Sequence, residues 1–158
     1  MKETDTGSGE IISIPRWHYY PDGYRWSGKT WQDMDTLPAP GWKDDLPKEF
    51  SQDALDWFAT QLFTSRQSWR DPGPCWQLMA MATRESYRKR GAASLLIDWG
   101  IENAQEDGAP PYLEASVAGR PLYERRGFQT VGEVVGSSFK PYIDRTFMVA
   151  RMVTWPHV

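Results

Sequence analysis

A chain of 158 residues and 18.2 kDa can bury about two-thirds of the surface its unfolded form exposes, so it needs neither disulfide nor metal to hold a core. Hydrophobic residues at 40 % and charged residues at 25 % exclude wholesale disorder, and a formal net charge of −3 argues against a nucleic-acid binder, which calls for a basic excess. No apolar run approaches the ~20 residues of a membrane span, the stretch from Met1 to Glu10 lacks the apolar core of a secretory leader, and Cys75 is the single cysteine. The expectation is one domain over 1–158, cytoplasmic, with no membrane, nucleic-acid or metal partner.

In chain order, residues 1–9 read as a flexible polar lead-in. A strand is expected over Glu10–Trp17, where Ile11, Ile12 and Ile14 supply β-branched character. Pro15 within it favours a sheet edge or a bulge. Tyr20-Pro21-Asp22-Gly23 is a turn signal. Residues 21–50 then form a long aromatic and proline-rich segment without periodicity. It takes in Tyr24, Trp26, Trp31 and Trp42 of a chain with nine Trp and 12 Pro. Such rings either staple irregular chain onto a sheet or form a wall for a ligand or partner. Ser51 is placed as a helix N-cap, and the stripe Leu55, Phe58, Ala59, Leu62 carries that helix to about Gln67.

Trp76–Thr83 is apolar on both faces, with Trp76, Leu78, Ala80 and Ala82 on one side and Met79 and Met81 on the other. That pattern predicts a central strand. A helix follows from about Gly91 to Glu106 on the stripe Ala93, Leu96, Ile97, Gly100, Ile101, Ala104. Gly100 in that stripe implies close packing on the sheet. Asp107-Gly108-Ala109-Pro110-Pro111 ends it. Tyr112–Ser116 is the next strand. A short helix has Pro121 near its start and Gly127 just past its end, with Phe128 set for an apolar cap contact. Gln129–Val135 and Phe147–Thr154 are the last strands. The order β, loop, α, β, α, β, α, β, β is a mixed α/β (α+β) chain, with helices expected on both faces of its sheet.

The stretch Arg88-Lys89-Arg90-Gly91-Ala92-Ala93-Ser94 carries the chemistry. A helix N-terminus presents unsatisfied N–H groups and partial positive charge, small residues let an anion approach the backbone, and three consecutive basic side chains add charge for phosphate. The same residues also suit a solvated basic turn. His18 and His157 suggest no metal pair, and Cys75, next to Pro74 and Trp76, reads as packed rather than nucleophilic.

Arg88-x-x-Gly91-x-Ala93 resembles the Q/R-x-x-G-x-G/A signature of the GCN5-related N-acetyltransferases (GNAT). Ser94-Leu95-Leu96-Ile97, Tyr112-Leu113-Glu114-Ala115-Ser116 and Leu122-Tyr123-Glu124-Arg125-Arg126-Gly127-Phe128 continue the likeness, in the style of the subfamily common in fungi. The resemblance covers about residues 76–135. It implies a mixed, mostly antiparallel twisted sheet with acetyl-coenzyme A as co-substrate. The phosphates would lie on Arg88, Lys89, Arg90, Gly91, Ala92, Ala93 and Ser94, and the pantetheine arm beside Met81, Ala82 and Thr83. An amine of a small molecule or peptide would attack directly. Tyr123 would protonate the leaving thiolate, Glu114 would serve as base, and Ser116 would orient water or the acceptor. Family members carry a strand and two helices before the strand at Ile11–Trp17. Only residues 1–10 precede it here, so the domain is expected to be N-terminally shortened, with a homodimer possible. The alternatives are a non-catalytic acyl-coenzyme A binding or interaction module on the same fold, and a partner-binding protein with no cofactor.

Overall fold

The structure is a computed structural model. It describes residues 2–23, 73–136 and 147–154, together with Ser51, Asp53, Ala54, Trp57 and Thr60. The chain divides into two compact units. One comprises Met1–Tyr24, Pro72–Glu133 and Val149–Val158, and the other Arg25–Asp71 and Val134–Met148.

Six strands form one sheet: β1 (Glu3–Thr4), β2 (Ile11–Tyr20), β3 (Cys75–Thr83), β4 (Pro111–Ser116), β5 (Gln129–Gly136) and β6 (Phe147–Val153), in the spatial order β1-β2-β3-β4-β6-β5. The helices described in full are α1 (Ala92–Glu106) and α2 (Arg120–Glu124). The β1–β2, β2–β3 and β4–β6 pairs are antiparallel, and β3–β4 is parallel. This is the mixed, mostly antiparallel sheet that was expected.

Residues 2–9 carry a short strand and a hydrogen-bonded turn where a flexible lead-in was expected. Glu3 pairs with Ser13 and Thr4 with Ile11. The connecting turn is tied by Asp5, whose carboxylate accepts from the Gly7 and Ser8 amides and the Ser8 hydroxyl. A short carboxylate that bonds the backbone two and three residues on makes a turn from local chemistry alone. The predicted strand also runs three residues further than Trp17, to Tyr20. It stops where the Gly23 amide donates to the Tyr20 carbonyl and Gly23 adopts φ 80°. Pro15 is tolerated because β1 reaches only Ser13, so among the described residues β2 is an edge beyond it.

Strict alternation along β3 fails at one residue. Trp17 pairs with Leu78, but Arg16 pairs with Ala80, leaving Met79 as an extra residue in β3. Such a bulge bends the strand and shifts the faces of everything after it. Met81, rather than Ala80, therefore packs with Leu78 against the core. The β3–β4 pairing also ends at this point: it covers Trp76–Leu78 with Pro111–Leu113, while both strands continue.

The core gathers Leu78, Ile97, Leu113, Ala115, Tyr123, Phe128, Ala150 and Met152, so α1 and α2 lie on one face of the sheet. Burial of a side chain such as Leu113 stabilises by about 1.5–3 kcal/mol. Gly100 explains the closeness of α1: a Cβ there would collide with the Trp17 indole, whose Nε1 donates to the Leu96 carbonyl at 3.2 Å. At the far end of α1, Trp76 stacks on Tyr19 with centroids 5.5 Å apart, meets Trp17 and Trp99 edge-on, and donates from Nε1 to Asp107 at 2.7 Å. Here the rings do staple, but onto a helix and between strands.

In the second unit, the Ala54 amide donates to the Ser51 hydroxyl at 3.2 Å, the contact of an N-cap, and Asp53, Ala54, Trp57 and Thr60 are helical. The rest of the predicted helix lies outside the described residues. So do Tyr24–Trp42 with their four named rings, the loop holding Pro141, and His157. Among the described residues, no helix is long and apolar enough to cross a membrane, and no three His, Cys, Asp or Glu side chains cluster as metal ligands.

Candidate active site

A groove of about 1030 Å³ opens where β3 and β4 part. It is lined from β3 by Met81, Ala82 and Thr83. The loop and first turn of α1 contribute Tyr87, Arg88, Lys89, Gly91, Ala92, Ala93 and Ser94. The end of β4 and the α2 segment contribute Ser116, Ala118, Gly119, Pro121, Leu122, Tyr123 and Arg125. The unpaired halves of two neighbouring strands thus become a slot, and the bulge at Met79 turns β3 away to make it.

The N-terminus of α1 faces this groove. Gly91 is its N-cap, in the left-handed region at φ 95°, and no side chain caps the helix. An L side chain there is disfavoured by backbone conformation rather than by space, since nothing lies within 4 Å of where its Cβ would stand. The first turn holds no acidic residue, so the amide dipoles are left for an outside anion. Arg88 and Lys89 stand beside it and Arg125 lies on the opposite wall. Among the described residues lining the groove there is no carboxylate.

Tyr123 closes the groove from α2. Its ring is 9 % exposed and packs edge-on against Phe128 with centroids 6.0 Å apart. Its carbonyl accepts from the Arg126 and Phe128 amides at 2.8 and 3.2 Å. Gly127 adopts φ 82°, which lets the chain turn and fold Phe128 back, the apolar cap that the Gly127-Phe128 pair predicts. Burial pushes the Tyr123 phenol above its ordinary value, so the ring keeps its proton at neutral pH.

Of the residues singled out in the sequence, Met81, Ala82, Thr83, Arg88, Lys89, Gly91, Ala92, Ala93, Ser94, Ser116 and Tyr123 are brought together on one groove. Two are not. The Arg90 guanidinium sits over the Tyr87 ring, 5.2 Å from its centroid. Glu114 is half-buried on β4, opposite Arg151 of β6 in the register. Ser116 has a local task as well, its hydroxyl accepting from the Gly119 amide at 3.2 Å. Tyr87, Arg125 and Gly119 escaped the sequence reading. Arg125 was readable in Leu122-Tyr123-Glu124-Arg125-Arg126 as one of two cations after the tyrosine, but which of them turns to the groove is decided by the turn of α2.

Residues 57–128 match the family model described as Acetyltransferase (GNAT) family. A stretch of 46 residues is 39 % identical to a protein described as probable acyltransferase SID5 of Ajellomyces capsulatus; the match takes in 29 % of this chain and 34 % of that protein. Among solved structures, arylalkylamine N-acetyltransferase 2 from Aedes aegypti superposes with a TM-score of 0.67 at 12 % identity, covering 99 % of this chain and 72 % of that one. A Corynebacterium glutamicum structure described as histone acetyltransferase HPA2 and related acetyltransferase gives 0.55 at 22 % identity, covering 99 % of this chain and 64 % of that one. Arabidopsis thaliana NAA60 in complex with acetyl-CoA gives 0.52 at 17 % identity, covering 97 % of this chain and 70 % of that one. At these identities the structural likeness is one of fold.

Proposed function

We propose that this chain, whose residues 57–128 match the acetyltransferase (GNAT) family model, transfers an acetyl group from acetyl-coenzyme A to a primary amine by direct attack. The observation that carries the reading is the groove itself: one slot joins an uncapped helix N-terminus, the parted end of β3 and a buried, protonated tyrosine.

The groove residues fit the donor. A pocket of about 1030 Å³ stands at the upper end of the ~300–1,000 Å³ usual for small-molecule sites. An uncapped helix end flanked by Arg88 and Lys89 suits a pyrophosphate. Acetyl-coenzyme A, when bound, supplies an activated acyl group on a thiol leaving group. In our reading the amides of Ala92, Ala93 and Ser94 and the side chains of Arg88 and Lys89 hold anionic oxygens. The backbone of Met81–Thr83, beyond its pairing with β4, lies along the slot and supplies donors to an acyl oxygen. Tyr123 holds a proton at its phenol oxygen for the departing sulfur. Ser116 lines the slot and is assigned to orient water or the acceptor. Glu114, two residues earlier on the same face of β4, is assigned as the base that takes the amine proton through water. In a cytoplasmic setting Cys75 stays a buried thiol.

The absence of Glu114 from the groove lining favours a second reading, a module that binds the acyl donor without turnover. One experiment separates the two. The chain is titrated calorimetrically with acetyl-coenzyme A and then assayed for thiol release over a panel of amines. Micromolar binding that weakens at least about tenfold in Arg88→Ala, with amine-dependent release, supports the enzyme. Binding with no release from any amine supports the module. A folded chain that does not bind removes both.

A further inference from the structure

The two walls of the groove come from α1 and α2, which are separated in sequence by β4. One ion pair joins them. Arg126, just past α2, donates from Nε to Asp98 Oδ1 at 2.6 Å and from a terminal nitrogen to Oδ2 at 3.3 Å. Asp98 lies in the second turn of α1, four residues beyond Ser94. Both side chains are partly shielded, at 27 % and 40 % exposure. The fork-to-fork geometry fixes orientation as well as distance, which a single-point contact does not. The same Arg126 donates its backbone amide to the Tyr123 carbonyl at 2.8 Å. A continuous path therefore runs from α1 through the Asp98 carboxylate and Arg126 to the backbone of Tyr123. The other ion pairs of α2, Arg120 with Glu124 and Glu133, tie it to itself and to β5 and lie more open to solvent. Neither reaches α1.

We propose that Asp98 and Arg126 are positioning residues, a strut that sets the place of the Tyr123 phenol relative to the anion-holding turn of α1. Neither lines the groove, so the strut acts on the geometry of Tyr123 and not on the donor directly. The catalytic part of this inference rests on the proton-holding role assigned to Tyr123. The geometric part does not.

The test uses the full chain with Asp98→Asn, Arg126→Lys and the reversed pair Asp98→Arg/Arg126→Asp. The Tyr123 ring is followed by NMR of ¹³Cζ-labelled tyrosine, assigned with Tyr123→Phe. In folded Asp98→Asn and Arg126→Lys we expect the Tyr123 resonance and its titration to move. Affinity for coenzyme A should stay within about twofold, and kcat should fall about tenfold at nearly constant donor KM. The reversed pair should recover at least part of kcat, because the two charges still face each other. In a Tyr123→Phe background, Asp98→Asn should cost little more, since the group it positions is gone. An unmoved Tyr123 resonance in both single variants overturns the strut, whatever happens to turnover. So does an equal loss of kcat with and without the phenol. If Tyr123→Phe alone leaves kcat intact, the proton role falls, while the NMR arm still decides the strut. If either single variant fails to fold, the other and the reversed pair carry the same readout.

Discussion

The two ends of α1 are built for opposite purposes. At its start the helix is open: Gly91 in a left-handed conformation, small residues at Ala92 and Ala93, no capping side chain, and cations beside it. Towards its end it is closed by aromatic rings: Trp17 against Gly100, and Trp99 against Trp76, which is hydrogen-bonded to Asp107. An open helix end sacrifices local stability for a place where an anion can sit. A closed one excludes any ligand and fixes the helix on the sheet. The same 15-residue helix can do both because its rigid backbone passes the firmness of the packed half to the exposed turn.

That contrast can be broken from either side. The largest effect is expected at the closed end. Gly100→Ala drives a methyl into the Trp17 indole and should cost about 3 kcal/mol, read as a fall of roughly 6–12 °C in Tm. The same change in a Trp17→Ala background should cost nothing, or stabilise by up to about 1 kcal/mol, because alanine is the better helix former. An equal loss in both backgrounds would refute the close-packing account.

Next comes Tyr123→Phe at the groove. Turnover should fall by up to about 10²-fold, with Tm at neutral pH nearly unchanged, because the ring and its packing on Phe128 remain. The sign of its pH dependence follows from burial. The folded pKa lies above the unfolded value of about 10, so stability is complete below that value and is lost as pH rises through the folded one. Tyr112 is shifted in the same direction, by burial first and then by Cys75. Alkaline unfolding should therefore be shallower in Tyr123→Phe than in the parent, without vanishing. Thermal melts across the alkaline range decide this.

Smaller still is Gly91→Ala. Placing an L residue at φ 95° should cost about 1–2 kcal/mol, and coenzyme A binding measured by calorimetry should weaken while the Trp17–Gly100 contact is untouched. The smallest effect belongs to His18. Its pKa is lowered, by burial first and then by the neighbouring Arg16 charge, and it accepts from Arg16 Nε at 3.1 Å. The neutral form is favoured in the fold, so its contribution is present above about pH 6.5 and is lost as pH falls through the folded value. His18→Gln should flatten the mild-acid slope of Tm against pH.

Much of the site was legible because its determinants are local. The α1 stripe, the Gly91 turn, the Pro121 start and the Gly127-Phe128 stop are each written within a few residues, and the resemblance through Arg88–Ser94 and Leu122–Phe128 rests on the same local pattern. The strand of Trp76–Thr83 was legible as a strand, yet its faces were misassigned after Leu78. Period-two alternation assumes an unbroken ladder, and the extra Met79 is visible only against Trp17 and Arg16 of the partner strand. The pairing of Glu3–Thr4 escaped for a related reason: a two-residue strand has no periodicity to read.

By itself, then, the sequence determined the longer helices and strands among the described residues and the turn that leaves the start of α1 uncapped, because these depend on spacing, caps and backbone freedom within a turn or two. Tertiary structure alone decided where the slot opens, why Gly100 must be glycine, which side chains face the slot, and that Asp98 meets Arg126. Each of those is a contact between residues far apart in the chain, fixed by register and packing, and none is encoded at any one of the positions that make it.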